Sequence, residues 1–487
     1  MPPHDRLTIE DVRRQIVGID VRVPLLDGSH GPYVNFDNAA STPALRPVYD
    51  KVNEFMVWYS SVHRGTGFKS QIATEAYDLA HDVVGCFLGA NLETNTVVFG
   101  KNATEAINKL ARRLPLERDD VVICSLMEHH SNDLPWRQQA QLVHAAVRDD
   151  GSLDEEDFDR LLARHAGKVK LVAISGASNV TGHINPIHRL AEKAHEAGAR
   201  ILIDAAQLAP HRAINMRADD DAAHLDFVAL SAHKMYAPYG TGALVGPVSV
   251  FGQGTPDLVG GGTVDIVTVD DVRWAGPPDR DEAGSPNVVG AVALAQAIVS
   301  LQQIGMDVLA RHEAELTAHA LRRLAGIDGL QLYGSAHAER VGERVGVIPF
   351  NLAGVDHYKV AAVLSFEGGV AVRNGCVWTH PDILRRLQVS GDEALRHRQD
   401  IADGTRVGLP GLVRISFGCY NTPEEVDRAA EVLARLAVGD IAGDYEQDPV
   451  SGTYWPRGYQ PDYQRYFALQ PGRPPRPRGQ RVARCGV

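Results

Sequence analysis

The sequence predicts an α/β fold: a large domain on a mainly parallel sheet, followed by a smaller α+β domain. Three observations carry that reading. Short apolar runs alternate with longer helical patterns through the first half of the chain, a rhythm that gives parallel strands covered by helices on both faces. Polar residues stand where those apolar runs end, which is where parallel sheets bind ligands. A length of 487 residues allows a large buried core and more than one domain. In chain order, residues 1–30 read as a helical lead-in, with Thr8-Ile-Glu-Asp-Val12 as its capped start. Residues 31–304 form the large domain. Its strands are expected at Thr96–Phe99, Asp120–Cys124, Val169–Ile174, Arg200–Ile203, Phe227–Leu230 and Gly242–Val245, with helices at Thr104–Arg113 and Ile187–Gly198 between them. A long helical region from Val288 to Leu324 bridges to the small domain, residues 305–440, which is expected to pack with the N-terminal segment. That domain has strands near Val345–Phe350, Val370–Val372 and Leu412–Ser416 and a helix at Pro423–Leu436. Residues 441–487 form a tail. Its aromatic stretch, 452–467, is expected to pack on the body or on a partner subunit, and its basic Pro471–Arg478 stretch to be a solvated end.

Composition narrows the class. With 44% hydrophobic and 23% charged residues, the chain is ordinary for a globular protein. A net charge of −12 argues against general nucleic-acid binding, which needs clustered Lys and Arg. No run approaches the roughly 18 apolar residues that suggest a membrane span, and the polar start, Met1-Pro-Pro-His-Asp-Arg, is unlike a signal peptide. Cysteines 86, 124, 376, 419 and 485 form no paired spacing and no CxxC, which fits free thiols in a reducing cytoplasm. The expectation is a cytoplasmic enzyme without a structural metal.

The residues closing the apolar runs suggest the chemistry. Ile201-Leu-Ile-Asp204 ends in an acid, and Asp226-Phe-Val-Ala-Leu-Ser-Ala-His-Lys234 ends in Ser-x-His-Lys. A lysine amine can hold a cofactor aldehyde as a Schiff base, and a carboxylate can keep a pyridine nitrogen protonated so that the ring accepts electrons. Together they point to pyridoxal 5′-phosphate and a reaction at the α-carbon of an amino acid. Gln207 is close enough to reach the same ring, and Ser231 and His233 are placed to hydrogen-bond a phosphate. Asn102-Ala-Thr-Glu105 opens a helix, so its free N–H groups and the Thr104 hydroxyl make an anion site, or simply a cap. Met127-Glu-His-His130 closes another strand. An imidazole there can stack on the ring and move protons; a metal held by both histidines is disfavoured because extended neighbours point opposite ways.

This set resembles the class V aminotransferase superfamily of pyridoxal phosphate fold type I, in its cysteine desulfurase and selenocysteine lyase branch. The resemblance rests on Phe36-Asp-Asn-Ala-Ala-Ser-Thr-Pro43, Val62-His-Arg-Gly65, Asn102–Glu105, Met127–His130 and Ser178-Asn-Val180. It continues through Asp204-Ala-Ala-Gln207, Ser231–Lys234, Glu282-Ala-Gly-Ser-Pro-Asn287, Val372-Arg-Asn-Gly-Cys376 and Arg414-Ile-Ser-Phe-Gly-Cys-Tyr-Asn421. It spans about residues 30–438 and leaves out the tail. It implies Lys234 as the Schiff-base lysine and acid–base catalyst, Asp204 at the pyridine nitrogen and His129 stacked on the ring. It implies Gln207 and Asn179 near the ring oxygen and substrate. Ala103, Thr104, Ser231 and His233 would hold the phosphate, which in such dimers also meets the other subunit's Ser285. Ala40 and His63 would lie by the substrate, and Arg373 would pair with its carboxylate.

One position departs from the family. Relatives place a nucleophilic cysteine shortly after that arginine, in the pattern Arg-x-Gly-x-x-Cys. Here Arg373-Asn-Gly-Cys-Val-Trp378 aligns without a gap, and Trp378 takes the nucleophile's place. Cys376 stands two residues earlier, about 6–7 Å away along an extended chain. The expectation is therefore a pyridoxal phosphate lyase, by β-elimination or C–S cleavage, or a transferase, working without persulfide chemistry. The alternatives are a true cysteine desulfurase using Cys376, an isopenicillin N epimerase-like racemisation, and a non-catalytic cofactor-binding protein.

Overall fold

The computed structural model describes residues 7–63, 65–460 and 462–469. Seven strands form its main sheet: β1 (Asn95–Gly100), β2 (Val121–Ser125), β3 (Gln141–Ala145), β4 (Val169–Ser175), β5 (Arg200–Asp204), β6 (Phe227–Ser231) and β7 (Gly242–Pro247). Their order is β1-β7-β6-β5-β4-β2-β3. Strands β2 to β6 run parallel, while β7 is antiparallel to both neighbours. Each of the six strands read from the sequence lies within two residues of its expected ends. Strand β3 escaped that reading because it is an edge strand, mostly half-exposed, and carries no clean apolar run.

The sheet is buried on both faces, as an all-parallel core requires. Ile201 and Ile203 point into the larger core, whereas Leu202 points into the core beneath the Ala103–Arg113 helix. That helix starts where it does because the Asn102 side chain accepts the Glu105 N–H at 3.0 Å. Gly242 lets the start come close to the sheet; a Cβ there would lie 2.5 Å from Asn102 Cα.

A second, antiparallel sheet has strands β8 (Leu330–Leu332), β9 (Val347–Leu352), β10 (Arg373–Gly375) and β11 (Leu412–Ser416), in the order β8-β9-β11-β10. Helices Met306–Ala325, His357–Gly368 and Pro423–Ala437 share its core. Residues Val34–Asn35 pair in parallel with Val370–Ala371, and Asp37 bridges to Ser416. This early segment therefore reaches the second sheet, and Asp37 arrives beside Arg373 and Arg414.

Two expectations need correction. The lead-in is helical only over Ile9–Arg14, capped by Thr8; a hairpin of Arg22–Pro24 with His30–Pro32 follows. The helix read as continuous from Val288 to Leu324 is two helices, Val288–Ile304 and Met306–Ala325, meeting at 75°. Gly305 makes the break with φ of 98°, a conformation that side chains resist. Apolar periodicity persists on both sides, which hid the break. Gly305→Ala is expected to destabilise the fold by about 1–3 kcal/mol, read as a lower urea midpoint at unchanged slope. Among the described residues no single helix is long and apolar enough to cross a membrane.

In the tail, Tyr445–Gln447 pairs with Tyr454–Pro456, and Trp455 and Tyr459 pack on Phe366 with ring centroids 5.7 and 5.0 Å away. The Pro471–Arg478 stretch lies outside the described residues.

Candidate active site

At the carboxyl ends of the parallel strands lies a cavity of about 280 Å³. Strand ends supply its floor, with Ser175 from β4, Asp204 from β5, and Ser231 with the following turn from β6. Of the residues singled out in the sequence, Ala40, Ala103, Thr104, His129, Asn179, Asp204, Gln207, Ser231, His233, Lys234 and Arg373 all line it.

Lys234 ends a single 3-10 turn after β6. The turn is pinned by Thr42, whose N–H and hydroxyl both donate to the His233 carbonyl, at 2.9 and 3.1 Å. Burial pushes the Lys234 amine down to about 8; the nearby Asp204 carboxylate opposes this and Arg414 adds to it. The Asp204 carboxyl is raised by burial and held partly in check by the Ala206 N–H, which donates to Oδ1 at 3.0 Å, and by Lys234. His129 Nδ1 accepts the Ser131 N–H at 3.1 Å, so the ring proton belongs on Nε2. Burial, then the charge of Lys234, pushes this imidazole down to about 3 and keeps it neutral. Behind it Glu128 is pushed up to about 7 by burial, while accepting hydrogen bonds from Ser125, Ser175 and Asn132.

The opposite wall is built for an anion. The Ala103 N–H donates to Ser231 Oγ at 2.8 Å, leaving the Ser231 hydroxyl proton to point elsewhere. Thr104 and Ser131 hydroxyls lie 2.7 Å apart at the start of the capped helix. His233, pushed down to about 4 by burial and then by Lys234, is a neutral donor or acceptor. A buried acid, a desolvated amine, a neutral imidazole and a helix start fit a phosphorylated pyridine aldehyde.

Two arginines meet at the remaining side. Arg373 binds Asp37 at 2.7 Å and is half-exposed, with 48% of its side chain accessible. Arg414 is buried on β11; it donates to the Asn179 carbonyl at 2.9 Å and to Asp37 at 3.4 Å. Its Nε is buried with no hydrogen-bond partner. Burial pushes this guanidinium down to about 10, with Asp37 opposing and Arg373 adding to the shift. Two guanidiniums thus share one carboxylate, which leaves positive charge for an incoming carboxylate. Arg414 stands in one of the family motifs, with no role assigned to it from sequence. The available signal was an arginine inside the otherwise apolar run Leu412-Val-Arg-Ile-Ser416.

Other residues are placed differently from a simple reading of the motifs. The Asn179 amide donates to the Val377 carbonyl at 2.8 Å and accepts from the Thr379 hydroxyl at 3.0 Å, so it ties down the loop at 377–379. Gln207 Nε2 donates to the Ala39 carbonyl at 2.7 Å. His63 is exposed, set edge-on to Tyr77 with centroids 5.5 Å apart, and does not line the cavity; its neighbour Arg64 lies outside the described residues. Ser285 is also exposed and outside its own chain's cavity. Cys376 turns away from it: its thiol donates to the Pro410 carbonyl at 3.4 Å and is pushed up to about 11 by burial. Trp378 does line the cavity, although it is 66% exposed. Its carbonyl accepts the His130 N–H at 2.9 Å, and its φ of 62° turns the loop sharply.

The chain matches a family model described as aminotransferase class-V over residues 34–429. A cysteine desulfurase of Haloferax volcanii is 35% identical over 430 residues, covering 86% of this chain and 92% of that protein. A probable cysteine desulfurase of Streptomyces coelicolor is 34% identical, covering 88% and 97%. Among solved structures, the apo cysteine desulfurase of Thermococcus onnurineus superposes with a TM-score of 0.75 at 31% identity, over 88% of this chain and 98% of that one. The cysteine desulfurase CsdA of Escherichia coli gives 0.71 at 26% identity, over 90% and 100%.

Proposed function

Because this chain belongs to the aminotransferase class-V family, whose members use pyridoxal phosphate, we propose that it is a lyase or aminotransferase acting on an amino acid without a cysteine nucleophile. The observation that carries this reading is the loop after Arg373: an indole borders the cavity, and the half-buried Cys376 thiol donates to the Pro410 carbonyl instead of lining it. A protonated thiol pushed up to about 11 is a poor nucleophile.

The bound cofactor supplies an electron-accepting ring over which bonds to the amine-bearing carbon are weakened. The chain's residues do the rest. Asp204 would hold the ring nitrogen, its carboxylate keeping a proton there. His129, neutral with its proton on Nε2, offers a flat face. Arg414 and Arg373 orient the substrate carboxylate, which fixes the bond at the α-carbon that faces Lys234. The Lys234 amine, neutral at mildly alkaline pH, takes a proton from that carbon and returns one. Trp378 borders the cavity, where its indole would limit the entry of water.

Sign and window follow from the Lys234 shift. The amine is protonated below about 8 and free above it. Capture of added pyridoxal phosphate by the cofactor-free chain is therefore expected to slow about tenfold per pH unit below 8 and to level off above it, rather than rising to the usual lysine range. Stopped-flow absorbance across about pH 6–10 measures this.

The holoenzyme should be offered a panel of amino acids while its cofactor spectrum is followed and products are identified by mass spectrometry. Pyruvate indicates elimination, a keto acid transamination and an inverted amino acid epimerisation; alanine with protein-bound sulfur indicates desulfuration. Cys376→Ser is expected to change turnover less than about twofold, since the half-buried thiol does not line the cavity. A second reading, cysteine desulfurase using Cys376, is favoured by the names of the relatives. Loss of sulfur release in Cys376→Ser would select it. We also place the enzyme in the cytoplasm as a homodimer, with the exposed Ser285 completing the partner's phosphate site. Support comes from the exposed apolar side chains Met56, Val57, Trp58 and Phe68, and sedimentation equilibrium tests the assembly.

A further inference from the structure

We propose that His195, His224 and Asp226 form a binding site for a divalent transition-metal ion of the zinc class, at the end of the sheet opposite the cavity. His195 lies in the last turn of the helix Ile187–Glu196; His224 and Asp226 lead directly into β6, whose far end carries Ser231. One ligand atom from each residue falls within 4.8 Å of the other two.

The hydrogen bonds orient these groups outward from the backbone. His195 Nδ1 lies 2.7 Å from the Ala222 carbonyl, and His224 Nδ1 lies 2.7 Å from the Asp221 carbonyl. A carbonyl only accepts, so both Nδ1 atoms carry the proton, and a neutral ring then presents the Nε2 lone pair. That is the tautomer and the backing partner that metal-bound histidines adopt. Both Nε2 atoms face one carboxylate. His195 Nε2 is 2.9 Å from Asp226 Oδ2, and His224 Nε2 is 3.8 Å from Asp226 Oδ1. Asp226 is itself fixed, since Oδ2 accepts the Ile201 N–H at 2.9 Å.

Zinc–nitrogen and zinc–oxygen bonds of about 2.0–2.2 Å in a tetrahedron separate ligand atoms by about 3.3–3.6 Å. His195 Nε2 is closer than that to Asp226 Oδ2, at 2.9 Å, and His224 Nε2 farther from Oδ1, at 3.8 Å, so a bound ion would adjust the side chains by small rotations. The two rings already lie almost parallel, with centroids 4.3 Å apart. Both histidines are partly exposed, so water completes the fourth position, and the ion clamps the helix end to the segment entering β6.

The test uses the holoenzyme after chelator treatment and gel filtration. Zinc chloride is added, the protein is gel-filtered again, and bound zinc and Tm are measured. One zinc per chain and a raised Tm are expected for the parent protein. His195→Gln and His224→Gln, prepared separately with the cofactor absorption as the check on folding, should each weaken zinc affinity by at least about 100-fold. Less than half an equivalent of zinc on the parent protein overturns the proposal, as does full uptake by either variant. If one variant fails to fold, the parent stoichiometry and the other variant still decide.

Discussion

Lys234→Ala is expected to lower turnover by at least about 10³-fold and to release the cofactor on gel filtration. Two losses combine. Among the described residues Lys234 is the only lysine bordering the cavity, so the covalent anchor goes with it. Its amine, brought down to about 8 by burial, is also the group poised to exchange a proton near neutral pH, a contribution of about 10²–10⁴ in rate by itself. Lys234→Arg separates charge from chemistry: it keeps a cation near Asp204 but cannot be deprotonated, so it should be as inactive as the alanine variant. Asp204 supplies a second readout. Lys234 is one of two influences that lower its carboxyl against burial, so the alanine variant should bind pyridoxal phosphate more weakly as well as losing the covalent link. Retention of more than about a tenth of parental activity would remove Lys234 from the centre of the mechanism.

Arg414→Gln is expected to reduce kcat/KM for amino acids by roughly 30-fold to several thousand-fold, the effect of about 2–5 kcal/mol for losing one partner of a buried charge pair. The unpartnered, buried Nε is the reason to expect a substrate carboxylate there. The loss should be confined to substrates with that carboxylate; the corresponding amines, poor substrates for the parent protein, should lose little. Folding should survive, because Asp37 retains Arg373 at 2.7 Å. Arg373→Gln makes the comparison informative. That side chain is half-exposed, so its removal should cost less than removal of Arg414. Equal losses for carboxylate and amine substrates in Arg414→Gln would make it a support for the Asn179 backbone instead.

Much of the site was legible because its chemistry is local. Asp204, Ser231 and Lys234 follow apolar runs, and a parallel strand must deliver whatever follows it to the carboxyl edge of the sheet. Asn102 and Thr104 declare a helix start in the same way. The break at Gly305 was not legible from periodicity, because both helices continue the apolar pattern and a glycine is tolerated inside a helix at modest cost. Strand β3 was missed for the opposite reason: it is an edge strand whose residues are mostly only half-buried, so it carries no clean apolar run.

The sequence by itself determined six strands of the main sheet and the family, and pointed to the lysine and acid proposed for the cofactor, since each depends on residue types at fixed short spacing. Only the tertiary structure decided which arginine is desolvated, what Asn179 holds, and which way the loop after Arg373 turns. Those properties arise between residues far apart in the chain: Asp37 with Arg414, Asn179 with Val377 and Thr379, Cys376 with Pro410. Burial and side-chain direction are set by what packs against a group, and for these residues the neighbours lie up to 377 positions away.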